Sequence, residues 1–405
     1  MAFTYNETNN AFFGVNWTSP TAGPGGATGP ITITQDGAIS HATLNAMSLI
    51  GGYYTLIVNG QVRGGTNGNG IHLGASMTPG VHKITIGDTG NVSGYYGIQS
   101  FGSLNIKNAG TIAAHGGLAI QIDLITNETL TLVNSGTILT DGITAIYARS
   151  GGLHTITNTG SIIGEITLVD GTQKLTNGGW IQGLISLGEN ADTLTNSGTI
   201  TELVDCNGGD DVITNSGTIS GNVTLDGGNN KLTNSGEITG IVTADTGNDT
   251  VKNSGHLTGY ISLSYGDDSF TGGNFTDEVW DDRGKDSYRL GGGNDIYRAD
   301  YDNILFFADL DGTGDKVDGG MNSAWWTSPT TSLQTSMTPV ARPARSSSTQ
   351  TPKPMVRRMT AACWTTLAAG TAGGMRSVWT RFPTLRAMSG ALTTTSSLAA
   401  PRPRT

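Results

Sequence analysis

The feature that most constrains this chain is the triplet Asn-x-Gly, which recurs at a fixed interval of 19 residues. Six copies follow one another, with their first residues at Asn158, Asn177, Asn196, Asn215, Asn234 and Asn253. Asn108 and Asn134 open two earlier copies at wider spacing. A fixed period of about 20 residues is typical of solenoids, in which each repeat packs on its neighbours. We therefore predict about eleven coils, irregular at first and regular later.

Alignment of the regular coils on this Asn reveals four apolar columns, two residues before it and four, eight and ten residues after it. The columns are Ile156, Leu175, Leu194, Ile213, Leu232 and Val251; Ile162, Ile181, Ile200, Ile219, Ile238 and Leu257; Ile166, Ile185, Val204, Val223, Val242 and Ile261; and Leu168, Leu187, Cys206, Leu225, Ala244 and Leu263. The runs alternate, are rich in β-branched residues and are too short for helices. The pattern predicts an all-β, right-handed parallel β-solenoid (a β-helix or β-roll) with 19-residue coils and these columns as its core.

The Asn-x-Gly residues are expected to form turns, because Asn tolerates left-handed backbone conformations and Gly adopts them freely. Stacked Asn amides can also bond along the solenoid axis. Cys206 occupies a column otherwise filled by Leu and Ala, so we expect a buried thiol rather than a nucleophile.

A second turn in each coil carries Gly-x-Asp or Gly-x-Asn, again at 19-residue intervals. Its copies are Gly209-Asp210-Asp211, Gly228-Asn229-Asn230, Gly247-Asn248-Asp249 and Gly266-Asp267-Asp268, with Asn190-Ala191-Asp192 as a degenerate earlier copy. Stacking would place carboxylates about 5 Å apart, which is unfavourable without a cation between them. Glycine turns also expose backbone carbonyls, and hard oxygen ligands suit Ca²⁺.

These turns resemble the haemolysin-type, repeats-in-toxin (RTX) family, whose nonapeptide G-G-x-G-x-D-x-U-x builds a calcium-filled parallel β-roll. The nearest matches are Gly284-Lys285-Asp286 and, nine residues on, Gly293-Asn294-Asp295; Gly314-Asp315 is a further fragment. The likeness covers residues 188–320, although only one turn of each 19-residue coil carries it and Asn230 replaces Asp. The predicted Ca²⁺ ligands are Asp192, Asp210, Asp211, Asp249, Asp267, Asp268, Gly284, Asp286, Gly293, Asn294, Asp295 and Asp315.

The chain changes character after Gly320. Residues 321–405 contain no Asp or Glu and 10 of the 22 Lys and Arg, and they hold four of the seven Trp. Reading the codons one base out of phase forces Glu at Met321-Asn322, and the surrounding codons then permit acidic strings typical of the preceding repeats. We therefore interpret 321–405 as a frameshifted, disordered tail; a natural Ser/Thr/Pro-rich linker or a basic segment that contacts polyanions is the alternative.

Five regions follow from these patterns. We predict an N-terminal cap or irregular segment at 1–30, irregular solenoid coils at 31–157, regular 19-residue coils at 158–271, an RTX-like calcium-binding β-roll at 272–320 and the tail at 321–405.

Charge and composition restrict the partners. Residues 1–320 carry 12 Lys and Arg against 32 Asp and Glu, a formal net charge of −20. So acidic a body repels nucleic acid and attracts cations. Neither a signal peptide at the start nor an apolar run long enough to span a membrane is evident. The family resemblance implies a bacterial protein that is secreted by a one-step (type I) system without an N-terminal signal peptide.

No catalytic motif stands out. The six His are scattered, without an H-E-x-x-H motif, and are expected at the surface or in turns. We therefore favour a non-catalytic extracellular scaffold or adhesin that Ca²⁺ folds or stiffens and that contacts glycans, cell-surface components or sister molecules. The alternative is a carbohydrate-active solenoid enzyme, of lyase or epimerase type, whose site lies in coils 31–157. Its groove would be lined by Tyr53, Tyr54, Tyr95, Tyr96 and Asp123.

Overall fold

The computed structural model describes residues 30–50, 52–74, 80–123, 127–149 and 151–299, together with the backbone of a few short strands outside these ranges. The described residues are all-β, and their strands stack in parallel as a β-solenoid of about 13 turns. This confirms the predicted fold class and exceeds the predicted number of coils by about two. No helix in the described ranges has the length and apolar character to cross a membrane.

The strands form three ladders, and each regular coil contributes one strand to each ladder. The first ladder is a 16-stranded sheet. Its strands are Phe3–Tyr5, Ile31–Ile33, Thr55–Val58, Val81–Ile86, Ser103–Asn108, Leu130–Asn134, His154–Asn158, Gln173–Asn177, Thr193–Asn196, Val212–Asn215, Lys231–Asn234, Thr250–Asn253, Ser269–Thr271, Lys285–Gly291, Ile304–Leu310 and Trp325–Trp326.

The second and third ladders form one 25-stranded sheet, because two long strands, Thr137–Arg149 and Ser161–Leu168, belong to both. The other strands of the second ladder are Ala38–Ser40, Gln61–Arg63, Asn91–Gly94, Thr111–Ala114, Trp180–Gln182, Thr199–Ile200, Thr218–Ile219, Glu237–Ile238 and His256–Leu257. Those of the third are Val15–Trp17, Met47–Leu49, Ile71–Leu73, Ile98–Ser100, Ile120–Asp123, Ile185–Ser186, Val204–Asp205, Val223–Asp226, Val242–Ala244, Ile261–Ser262, Glu278–Asp281, Ile296–Ala299 and Lys316–Asp318, with Met359–Thr360 added antiparallel.

The core lies between the ladders, and in the regular coils it consists of the four predicted columns. All of their residues are buried, from Ile156 to Leu263. Cys206 is a buried free thiol within its Leu column, and burial raises its pKa well above the usual range. Within the stack, each apolar residue pairs with its equivalent one coil away, so every added coil extends the same apolar column.

The Asn residues form a continuous internal ladder. From Asn108 to Asn253 each side-chain Nδ2 donates to the Oδ1 of the next Asn at 2.7–2.8 Å, and each of these Asn is at most 2% exposed. The Nδ2 of Asn196 also lies within hydrogen-bonding distance of the Gly198 and Thr218 carbonyls, at 3.3 and 3.2 Å. The amides thus satisfy a buried corner where backbone groups turn inward.

The reason for glycine in this triplet differs from the prediction. The described residues with a positive φ do not include the Asn-x-Gly glycines. Instead, a Cβ on Gly217 would lie 2.1 Å from the carbonyl oxygen of Gly198 in the adjacent coil. The left-handed glycines occur at the second turn, as at Gly228 with φ 122°. Close stacking, rather than backbone handedness, therefore requires glycine after the Asn.

The solenoid changes shape near residue 257. Within the described residues the second ladder ends at His256–Leu257, and later turns use strands of the first and third ladders. The step between equivalent residues falls from 19 to 18, or two nonapeptides, between Asp268 and Asp286. This change falls close to the predicted boundary at 272. Apart from the strands Trp325–Trp326 and Met359–Thr360, residues 321–405 lie outside the described residues, so the frameshifted tail remains a prediction.

We expect Asn196→Ala to destabilise the solenoid by about 2–4 kcal/mol, because it removes one acceptor of the Asn177 Nδ2 and the Nδ2 donor to the Asn215 Oδ1 at a buried site. Urea unfolding followed by circular dichroism measures the loss. Thr195→Ala, at an exposed position on the same strand, is the matched control and should change stability by less than about 0.5 kcal/mol. Equal effects of the two substitutions would contradict a stabilising amide ladder.

Candidate metal centre

A second polar column, here called the capping column, lines the interior where the first-ladder strands begin. Its members take the same register position in the stack, and they are His82, His154, Gln173, Asp192, Asp211, Asn230, Asp249, Asp268 and Asp286. Leu104 and Leu130 hold this position in the two coils between His82 and His154, and from His154 onward the column is polar in every coil. All are at most 2% exposed.

In the acidic half of this column, each side chain caps the backbone of the previous coil. The Oδ1 of Asp211 accepts from the Asp192 N–H at 2.7 Å, and the Oδ1 of Asn230 accepts from the Asp211 N–H at 2.9 Å. The bond repeats as far as Asp286, which accepts from Asp268 at 2.8 Å. An inward N–H that lacks a ladder partner is thereby satisfied. Asn and Asp perform this capping equally well.

The second oxygen of each acidic member has a different environment. The Oδ2 atoms of Asp192, Asp211, Asp249, Asp268 and Asp286 are buried without a hydrogen-bond partner. Burying an ionised carboxylate whose lone pairs are unsatisfied is strongly unfavourable. Each site therefore calls for a proton or a cation.

The titration behaviour follows from this burial. Burial is the largest cause of the raised pKa at Asp192, to about 8, at Asp211, to about 7, and at Asp249, to about 6. At Asp268 burial raises the pKa to about 8, and the nearby carboxylates of Asp281 and Asp249 raise it further. Burial and the adjacent Asp281 carboxylate also raise the pKa of Asp286.

Three buried carboxylates converge, two from the capping column and one from the third ladder. One oxygen from each of Asp268, Asp281 and Asp286 lies within 4.8 Å of the others, and all three residues are buried. Asp268 and Asp286 belong to the capping column, whereas Asp281 ends the third-ladder strand Glu278–Asp281. The Tyr288 hydroxyl donates to Asp281 Oδ2 at 2.5 Å. The arrangement brings three carboxyl groups to one interior point, where their ionised forms would offer hard oxygen ligands of the kind that divalent cations such as Ca²⁺ bind.

The structure separates the other predicted ligands into distinct groups. Asp192, Asp211 and Asp249 continue the capping column away from the cluster. Asp210 and Asp267 are exposed on the outer side of the same turn and accept backbone N–H groups of Asn229 and Lys285. They do not join the buried cluster.

The second nonapeptide occupies the opposite corner. Asp295 is buried and accepts from the Asp277 N–H at 2.8 Å, while Asn294 is exposed. Gly293 has a φ of 137°, and Gly284 is the corresponding turn residue before Asp286. Asp315 lies outside the described residues. The structure thus places the two predicted nonapeptides at different corners.

Sequence reasoning missed Asp277 and Asp281. Asp277 ends the Asn ladder, since its Oδ1 accepts from Asn253 Nδ2 at 2.6 Å. Burial raises its pKa to about 7. It lies 24 residues after Asn253, outside the 19-residue search. Asp281 follows the alternation Glu278-Val279-Trp280-Asp281, in which Val279 faces the core. That alternation predicts an inward Asp281.

The expectation that every His lies at the surface is wrong for two residues. His82 and His154 are fully buried in the capping column, where their Nδ1 atoms accept from the backbone N–H groups of Tyr54 and Leu130 at 3.3 and 3.0 Å. Burial lowers the pKa of His82 to about 4. The neutral imidazole therefore substitutes for a capping carboxylate in the early coils.

The residues of the alternative enzymatic groove fall into separate local contacts. Tyr53 packs on His82, with ring centroids 5.0 Å apart, whereas Tyr95 packs edge-on against Tyr96 at 5.1 Å. Asp123 accepts from Gln121, at the end of a chain of amide hydrogen bonds that runs from Asn69 through Gln99.

Comparison of the chain with protein-family models, with curated proteins and with solved structures gives no match.

We expect the metal-free protein to lose stability as the pH rises from about 4 to about 8. Because the pKa values of Asp192, Asp211 and Asp268 are raised in the folded state, folding favours their protonated forms. The stability that these protonated carboxyls contribute is fully present below the pKa of the unfolded chain's carboxyls. It is lost as the pH rises through the raised pKa values of the folded state, at up to about 1.4 kcal/mol per pH unit for each carboxyl. Thermal midpoints in chelator measure the trend.

The variant Asp192→Asn/Asp211→Asn is the comparison, because Asn230 shows that the amide fits this column. Its midpoint should fall less steeply with pH than that of the unaltered chain. An equally steep fall in both proteins would assign the pH dependence to other groups.

Proposed function

We propose that this protein is a secreted, calcium-binding repeat protein that acts as a non-catalytic structural or adhesive scaffold, folded or stiffened by Ca²⁺. The buried cluster of Asp268, Asp281 and Asp286 is the observation that carries the proposal. The residues are brought together from two ladders and two successive turns, so an ion held there would join strands that are separate in sequence.

Electrostatics favour a divalent ion at this point. Three carboxylates within 4.8 Å repel one another when ionised, and burial weakens the screening that water would supply. In the metal-free protein protons relieve the repulsion up to near-neutral pH, because the pKa of Asp268 is raised to about 8. A divalent cation relieves it by displacing those protons. Ca²⁺ accepts six to eight oxygen ligands in flexible geometry, so backbone carbonyls of the adjoining glycine turns can complete the shell.

The scaffold role rests on the regularity of the stack. The Asn ladder and the capping column cross-link every regular coil along the axis, in addition to the parallel backbone ladders. A rod of this construction is stiff and presents its outer faces at fixed spacing. These properties suit a protein that spans distance or contacts extended surfaces.

Calcium titration of the full chain tests the proposal. We expect millimolar Ca²⁺ to raise the thermal midpoint relative to chelator by several degrees, because a ligand at 100 times its Kd stabilises the folded state by about 2.7 kcal/mol. An unchanged thermal midpoint would contradict the proposal that the protein binds Ca²⁺.

Asp286→Asn localises the effect. The amide can keep the capping bond to the Asp268 N–H, as Asn230 does for Asp211, but it removes one charge from the cluster. We expect the calcium-induced rise to fall by at least about half, with a metal-free midpoint equal to or above that of the unaltered chain. Asp267→Asn, at the exposed neighbouring position, is the control and should keep the full rise. Equal rises in both variants would place the ion elsewhere.

A further inference from the structure

Across ten described strands of the first ladder, the outward face of this acidic protein carries lysine and no carboxylate. The lysine–threonine strip consists of the outward-facing residues one and three positions before the Asn column on the ten first-ladder strands from Val81–Ile86 to Ser269–Thr271. In order along the axis they are Lys83 and Thr85, Asn105 and Lys107, Thr131 and Val133, Thr155 and Thr157, Lys174 and Thr176, Thr193 and Thr195, Val212 and Thr214, Lys231 and Thr233, Thr250 and Lys252, and Ser269 and Thr271.

The five lysines of the strip are exposed, and none takes part in an ion pair recorded among the described residues. A random distribution of charged residues would not favour a strip with five lysines and no carboxylate, since Asp and Glu outnumber Lys and Arg by 32 to 22 in the whole chain. Exposed carboxylates lie instead at the rim of the strip, where Asp210 and Asp267 precede the strands, and on other ladders, as at Glu237. Charge is therefore segregated across the surface of the solenoid.

We propose that the lysine–threonine strip binds an extended anionic polysaccharide that lies along the solenoid axis. The inference deepens the adhesive part of the proposed function and rests on it, because it names the surface and the class of partner. The strip does not include the calcium cluster.

The dimensions of the strip fit a single polymer chain. Ten strands at about 4.8 Å span roughly 45 Å, whereas two outward positions on one strand lie only about 7 Å apart. The exposed carboxylates of Asp210 and Asp267 at the edge where the strands begin repel a polyanion from that side. A long, narrow and flat surface of this kind matches a linear polymer better than a globular partner.

The side chains also match sugar chemistry. Lysine ammonium groups pair with carboxylates or sulfates, and the threonine hydroxyls both donate to and accept from sugar hydroxyls. Thr157, Thr176, Thr195, Thr214 and Thr233 form an unbroken column of such hydroxyls.

Duplex DNA fits less well. It carries one charge per about 1.7 Å, far denser than five lysines over the strip. Single-stranded nucleic acid also fits less well, because the strip contains no aromatic residue on which its bases could stack.

Binding of the full chain to two polyanions tests the proposal, with heparin as the sulfated probe, polygalacturonate as the uronate probe and dextran as the neutral control. Affinity is measured at several salt concentrations and at one fixed calcium concentration. The test variant is Lys174→Thr/Lys231→Thr/Lys252→Thr, in which each new residue is already common in the strip. The control variant, Arg63→Gln/Arg149→Gln/Arg283→Gln, changes net charge equally at exposed positions outside it.

We expect the unaltered chain to bind at least one polyanion and not dextran, and the tighter of the two probes identifies the charged group as sulfate or carboxylate. The strip variant should bind roughly tenfold more weakly and should lower the slope of log affinity against log salt by about two to three, whereas the control should stay within about twofold. Both variants keep the basic residues after 320, so binding by that segment cancels in the comparison.

Several results would overturn the proposal. They are equal losses in the two variants, no binding to either polyanion, binding to duplex DNA as tight as to the polysaccharides, or self-association that the strip variant abolishes, which would make a second copy the occupant. The strip variant should also keep the calcium-induced rise in thermal midpoint. Loss of polysaccharide binding with that rise intact separates this inference from the calcium-binding proposal.

Discussion

The structure depends on one constraint. Every coil must present a matching apolar or hydrogen-bonding group at the same register position, because the partners of a coil are the coils above and below it. Apolar residues meet this demand by packing on their equivalents, and inward polar groups meet it by bonding to theirs. A buried polar group without such a partner would cost a substantial part of the stability of a typical domain. Register, rather than any single contact, therefore holds the solenoid together.

The two internal polar columns solve the same problem with different chemistry. The Asn ladder is self-complementary, since each amide both donates and accepts, and it leaves no net charge. The capping column needs only an acceptor, and His, Asn and Asp all supply one. Asp alone adds a second oxygen that carries charge when the carboxyl is ionised. This additional oxygen makes a capping residue a candidate metal ligand.

The candidate centre lies where the architecture changes. The second ladder ends before Asp268, the step shortens to 18 residues, and the Asn ladder gives way to Asp277. In the regular coils, a carboxylate of the capping column meets others only along the axis. After the change, Asp281 from the third ladder approaches the same column, and three carboxylates share one point. Loss of a ladder thus brings together charges that the longer coils keep apart.

The 19-residue period by itself determined the class of fold, the apolar columns and the stacking of Asn158 to Asn253, because a strict repeat can be satisfied only by in-register neighbours. It also placed Asp192, Asp211, Asp249 and Asp268 in one column. The period could not determine which side chains of a turn point inward. Asp210 and Asp211 are adjacent and of the same residue type, yet Asp210 is exposed and Asp211 is buried. Nor could it reveal Asp277 and Asp281, or the inward His82 and His154, where the period breaks. Only the tertiary structure determined these inward positions, because the approach of Asp281 to Asp286 depends on which strands lie side by side in space. The absence of carboxylates from the lysine–threonine strip depends on the same arrangement of strands.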